Sequence, residues 1–245
     1  MAIYRQKGKR VLNEGFCVAI IDGDWKVPYI PGDVTNASTY PFPVVYHFLD
    51  DIDVTLILNG DPSQREPVIK AVKEIASSGV RGISGDCGFL IHYQADAARA
   101  VDIPVYLSPL LQLPLMDAVL AGDRSIGIIA AVASSVDEDV ISKAGFKGRR
   151  ELVVRGMQDS NVFASSLLQP STSIDSDAAA NEVIELCLQM QQEHPNLGAY
   201  LFECSMLPPY SHAAHAATGL PVFDFVSMIN YFQRASYRKE FTGYY

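Results

Sequence analysis

Basic side chains are scarce in this chain: 19 Lys and Arg stand against 28 Asp and Glu in 245 residues, a formal net charge of −9. Nucleic-acid binding needs clustered Lys and Arg, so the balance argues against that partner. The basic stretch Arg5 to Arg10 is short and reads as a solvated arm. Long apolar runs are also missing. None reaches the roughly 20 residues that cross a bilayer, and no apolar core with a small-residue cleavage site follows the polar Met1–Arg10. The expectation is a soluble, cytoplasmic protein without a membrane partner. Cysteine is sparse, with four residues and no C-x-x-C spacing, which argues against a disulfide scaffold and a zinc or redox pair. No G-x-G-x-x-G, G-x-x-x-x-G-K-[ST] or G-x-S-x-G pattern occurs, so nucleotide binding and Ser-His-Asp hydrolysis have no local support. Neither a metal nor a cofactor is expected.

What is present is a large apolar complement, 49% of the chain, enough for one large domain or two small ones. Short β-branched runs alternate with longer helical patterns, the signature of β-α-β units and a parallel sheet. The expected strands are Phe16–Ile21, Val54–Leu58, Val80–Ser84, Val105–Leu107, Ser125–Ala130, Glu151–Arg155, Gly198–Glu203 and Val222–Phe223. The expected helices are Arg65–Ser78, Phe89–Ala100, Leu110–Ala121, Asp137–Lys143, Asp177–His194, Pro209–Ala217 and Phe225–Arg238. The chain also repeats itself. A strand leads to Cys87, then a helix, then Ile103-Pro104-Val105; a second strand leads to Cys204, then a helix, then Leu220-Pro221-Val222, with 17 residues from Cys to Pro in both halves. This predicts an α/β fold of two pseudo-symmetric lobes, each a mostly parallel sheet flanked by helices, with the active site in the cleft between them. The lobes are expected over 1–122, completed by the C-terminal helix, and 123–245. The apolar stretch Phe225–Phe232 reads as core or as the interface of a homo-oligomer.

Cys87 and Cys204 each follow a strand and open a helix. At the carboxyl end of a parallel sheet, free backbone N–H groups can hold a substrate carboxylate, and a helix end is expected to lower a thiol's pKa. Two facing lobes would put the thiols on opposite sides of one small carboxylate, one taking the Cα proton while the other donates. Cys17, in an apolar strand, and Cys187, in an amphipathic helix, read as small buried hydrophobes. An acid precedes each paired cysteine, Asp86 and Glu203, and a carboxylate close to sulfur would raise the thiol pKa. Ser134 and Ser135 follow the strand Ser125–Ala130 and read as carboxylate donors or helix caps. Trp25, Tyr29, Tyr40, Phe42 and Tyr46 share a loop-like stretch and read either as a cage for an onium group or as packing. His212 and His215 read as surface or packing residues.

Gly85-Asp86-Cys87-Gly88-Phe89-Leu90 and Glu203-Cys204-Ser205-Met206-Leu207-Pro208-Pro209-Tyr210, with Thr218-Gly219-Leu220-Pro221-Val222-Phe223-Asp224, resemble the aspartate/glutamate/hydantoin racemase superfamily over most of the chain. The resemblance implies a pseudo-symmetric fold and cofactor-independent proton transfer by two cysteines. Gly88-Phe89 and Ser205-Met206 depart from the polar residues that follow the cysteines in amino-acid racemases. Tyr29-Ile30-Pro31-Gly32-Asp33 and Tyr40-Pro41-Phe42 are similar to a branch that includes the algal dimethylsulfoniopropionate lyases. That resemblance implies Cα deprotonation with loss of dimethyl sulfide and formation of acrylate; the alternative is a racemase or epimerase. It adds Gly88, Phe89, Ser205, Asp33 and Tyr210 to Ser134, Trp25, Tyr29 and Tyr40 as candidate substrate contacts, with Cys87 and Cys204 catalytic.

Overall fold

The computed structural model describes residues 18–23, 25–49, 52–148 and 150–243. In chain order its elements are β1 (Val18–Asp22), β2 (Val44–Phe48), α1 (Val54–Leu58), α2 (Arg65–Ser77), β3 (Ile83–Gly85), α3 (Gln94–Arg99), β4 (Val105–Tyr106), α4 (Leu113–Val119), β5 (Ser125–Ala130), α5 (Glu138–Lys143), β6 (Leu152–Gly156), α6 (Val162–Leu167), α7 (Ser176–Glu193), β7 (Leu197–Phe202), α8 (Ser211–Thr218), β8 (Val222–Phe223) and α9 (Phe225–Ser236). Tight 3-10 turns, Gly88–Tyr93, Pro109–Gln112 and Pro208–Tyr210, lead into α3, α4 and α8.

The strands form two four-stranded sheets, ordered β2-β1-β3-β4 and β6-β5-β7-β8, and every pairing is parallel. The second order repeats the first strand for strand, so the duplication around the two cysteines extends to the topology. Every residue of β5 and of β7 is buried, as expected of central parallel strands covered on both faces. One apolar cluster joins Ile83, Leu90 and Leu110 of the first half to Ile126, Ile128 and Leu201 of the second. A second gathers Phe163, Val183, Met190, Tyr200 and Phe202. In the third, Phe225, Met228 and Ile229 of α9 pack on Val18, Ile20 and Tyr106, and Phe232 stacks on Tyr106 with ring centroids 4.3 Å apart. The apolar face of α9 is therefore core, while Tyr231 lies exposed. Among the described residues no helix is long and apolar enough to cross a membrane.

Three expectations need correction. Val54–Leu58 is a helix, not a strand. Its Val-Thr-Leu-Ile-Leu run is too short for periodicity to discriminate, and Asp53 decides it by accepting from the Thr55 and Leu56 N–H groups as N-cap. β2 is a strand within what read as a loop-like aromatic stretch. Pro41 and Pro43 immediately precede it, and it pairs on one side only, as an edge position permits. The expected helix Phe89–Ala100 is a 3-10 turn followed by α3. α6 was also not anticipated from the sequence. The strand start at Phe16 and Cys17 lies outside the described residues.

Candidate active site

The carboxyl ends of β1, β3, β5 and β7 converge on a cavity of about 290 Å³. Its floor carries the paired motifs: Asp86, Cys87, Gly88 and Phe89 from the first half, and Glu203, Cys204, Ser205 and Met206 from the second. Trp25 and Tyr29 wall one part of it. Val54, Ile57 and Leu58 of α1 and Leu167 and Leu168 at the end of α6 form apolar walls.

The two halves position their acids in the same way. The Asp86 N–H donates to Ile21 O on the neighbouring strand (3.0 Å), and the Glu203 N–H to Ile129 O (2.8 Å). Two residues beyond each acceptor, a backbone N–H returns to the acid's side chain: Gly23 to Asp86 Oδ2 and Ala131 to Glu203 Oε2, both at 3.2 Å. Cys87 and Cys204 follow directly, and each sulfur accepts a backbone N–H, from Phe89 and Met206 respectively. Gly88 has to be glycine. A Cβ there would stand 2.1 Å from Glu203 Oε1 and 2.7 Å from Glu203 O, so the backbone of the first motif lies directly against the second acid.

Electrostatics reverse one expectation. Both thiols are pushed well above the usual cysteine range, first by burial and then by Glu203, with Asp86 adding to each and Asp33 to Cys204. The single N–H donated to each sulfur works the other way but is outweighed. The expected lowering by a helix end fails because both sulfurs are buried and, after that, sense the charge of Glu203 and Asp86, while the turn after Cys87 is only a short 3-10 segment. Glu203 itself is 1% exposed. Burial raises its carboxyl to about 7, with the Ala131 N–H as the opposing influence. Among the described residues, no Lys, Arg or His lines the cavity.

Of the residues singled out from the sequence, Cys87, Cys204, Gly88, Phe89, Ser205, Trp25 and Tyr29 come together here. Trp25 is held by its indole N–H on Leu167 O (2.8 Å), and the Tyr29 hydroxyl donates to Trp25 O. Four others do not line the cavity. Ser134 is exposed, and its neighbour Ser135 takes the lining position. Asp33 is buried in its own turn, accepting the Thr35 N–H (2.7 Å). Tyr40 packs against Phe42 and donates to Val34 O. Tyr210 packs edge-on against Phe163. The Pro31-Gly32-Asp33 loop nevertheless touches the second motif. The Val34 N–H reaches Ser205 O at 3.4 Å, and Gly32, at φ 101°, sits where a Cβ would come within 2.8 Å of Pro209 Cα. Cys187 is buried in α7, and His212 and His215 are exposed on α8. The lining acids and the walls from α1 and α6 were not picked out as site residues; the one signal for the acids is that one precedes each cysteine.

No protein-family model matches the chain. It is 30% identical over 223 residues to dimethylsulfoniopropionate lyase 3 of Emiliania huxleyi, an alignment covering 87% of this chain and 58% of that protein. It is 29% identical over 224 residues to a dimethylsulfoniopropionate lyase of Durusdinium, covering 89% and 74%. Among solved structures, unliganded arylmalonate decarboxylase superposes with a TM-score of 0.60 at 14% identity, covering 92% of this chain and 94% of that one. Allantoin racemase from Klebsiella pneumoniae gives 0.60 at 14% identity, covering 90% and 87%. A glutamate racemase from Bacillus anthracis gives 0.58 at 13% identity, covering 87% and 78%. These likenesses establish the fold. The chain is thus similar in sequence to algal dimethylsulfoniopropionate lyases, of whose length it spans 45–74%, and it shares its fold with arylmalonate decarboxylase and with glutamate and allantoin racemases.

Proposed function

We propose that this protein is a lyase acting on a small onium carboxylate, with dimethylsulfoniopropionate as the leading substrate and Cys87 and Cys204 as its acid/base pair. The observation that carries this reading is the cavity's make-up: two thiols at equivalent strand ends, two carboxyls and aromatic side chains, with no basic side chain among the described residues. A sulfonium centre suits such a lining, because the faces of Trp25, Tyr29 and Phe89 would each stabilise a desolvated cation by roughly 0.5–2 kcal/mol. Asp86 and Glu203 add opposite charge. The similarity to algal lyases supports the same substrate class, although the chain spans only 58% of the length of one of them.

The raised thiols bear on the mechanism. At rest both sulfurs hold their protons, and one thiol releases its proton to solvent when a positive charge enters beside the sulfur and offsets the charge of the acids. One thiolate then takes the Cα proton. The C–H electron pair becomes the Cα–Cβ double bond, the Cβ–S bond breaks with its electrons passing to sulfur, and dimethyl sulfide and acrylate leave. The second thiol keeps its proton in this reaction and acts only as a hydrogen-bond donor, because elimination leaves no carbon to protonate.

The equivalence of the two halves also favours a second reading, racemisation or epimerisation at Cα by both thiols. One experiment separates them: purified protein is incubated in D2O with millimolar dimethylsulfoniopropionate and, separately, with chiral α-amino and α-hydroxy acids. The lyase reading expects dimethyl sulfide release, lost in Cys87→Ser and Cys204→Ser. Absence of dimethyl sulfide, with deuterium entering Cα of a chiral acid, overturns it in favour of the racemase.

A further inference from the structure

An anionic substrate faces a difficulty in this cavity. The ionisable side chains that line it among the described residues are Tyr29, Asp86, Cys87, Glu203 and Cys204, and none can carry positive charge. Backbone N–H groups offer only partial charges, and two of the nearest are already committed: Ala131 to Glu203 Oε2 and Gly23 to Asp86 Oδ2. A carboxylate brought beside ionised Glu203 would pair like charges in a desolvated space, where repulsion is screened far less than in water.

We propose that Glu203 is the carboxylate-recognition residue of this cavity, taking up one proton when an anionic ligand binds and donating it as a hydrogen bond to the ligand's carboxylate. The inference rests on the reading that the ligand is a small carboxylate and extends it by naming the group that receives the acid end. Geometry supports it. Glu203 is 1% exposed and lines the cavity; one oxygen is fixed by the Ala131 N–H, while the other lies over Gly88 at a separation that leaves no room for a side chain. Its carboxyl titrates at about 7 because it is buried, so holding a proton near neutral pH costs little. The facing groups do not compete. Cys87 and Cys204 are pushed up and keep their own protons, and Asp86 is anchored on the Gly23 N–H. Two carboxyl groups sharing one proton carry a single negative charge, which a neighbouring onium group can neutralise.

Proton balance sets the test, which needs no turnover. Propionate, and its neutral analogue propionamide, are titrated into the protein by calorimetry between pH 6 and 9 in buffers of different ionisation enthalpy. At pH 8 propionate binding is expected to take up close to one proton. Its Kd should rise roughly tenfold per pH unit above 7 and flatten as pH falls to 6, while propionamide shows no uptake. Glu203→Gln, which keeps the acceptor for the Ala131 N–H, should bind propionate without proton uptake and with the pH dependence removed. Any of three results overturns the proposal: propionate binding without proton uptake at pH 8, full uptake persisting in Glu203→Gln, or no propionate binding at pH 6. A protein that passes yet releases no dimethyl sulfide would refute only the choice of reaction.

Discussion

At the scale of single residues, the site depends on unusually close contacts between the two halves. Gly88 is the tightest. Gly88→Ala must displace Glu203 or the turn that bears Cys87, and overpacking of this kind typically costs about 1–3 kcal/mol. We expect a lowered Tm together with lost ligand binding, whereas Gly122→Ala, with nothing near its Cβ position, should show only the strain of its positive φ. Glu203 makes a second prediction at this scale. Its carboxyl is raised in the folded state, so it stabilises the fold fully below about pH 4.5 and loses that contribution as pH rises through 7. The loss is roughly 3 kcal/mol between those limits as an upper figure. Denaturant midpoints measured from pH 5 to 8 should therefore fall less in Glu203→Gln than in the unsubstituted protein. The cysteines were legible from the sequence because equal spacing and equal position are visible in one dimension. Whether the preceding acids turn toward the sulfurs is not, since adjacent side chains often point apart. That is why the thiols' direction of shift emerged only from the fold, along with the displacement of Ser134, Asp33, Tyr40 and Tyr210 from the cavity.

At the scale of elements, α1 shows how a short cap controls a binding wall. Asp53 holds the first turn of a five-residue helix whose Val54, Ile57 and Leu58 face the cavity. Asp53→Ala should cost about 1 kcal/mol of stability and weaken ligand binding more than that loss implies, because so short a helix has little else to define it. Calorimetric Kd values compared with the Tm shift provide the check. The sequence misassigned this element for a physical reason. Five apolar residues fit a buried strand as well as one helical turn and a half, and the cap that decides between them is a single aspartate. β2 was hidden by the opposite effect, since the prolines just before it suppress a strand signal without preventing an edge strand. Longer and fully buried elements such as β5 were legible because burial on both faces leaves a continuous β-branched and apolar run.

At the scale of the whole molecule, the two halves share part of their interior. One apolar cluster contains Ile83 and Leu110 together with Ile126 and Leu201, and α9 returns from the C-terminal end to cover Val18, Ile20 and Tyr106. Folding should therefore be a single cooperative event. Phe225→Ala, in the cover of the first sheet, is expected to cost about 3–5 kcal/mol and to lower one calorimetric transition for the entire chain. A separate early transition would show instead that the first half unfolds alone.

The matched acids are alike in their backbone bonds but differ in length: one half carries aspartate and the other glutamate, longer by one methylene. The duplicated frame is therefore filled asymmetrically, and the two-fold relation of the topology does not extend to the side chains lining the cavity. A substrate with two hydrogens on its reacting carbon meets unlike neighbours on its two faces. Supplied with stereospecifically deuterated substrate, such a site should discard one prochiral hydrogen and retain the other.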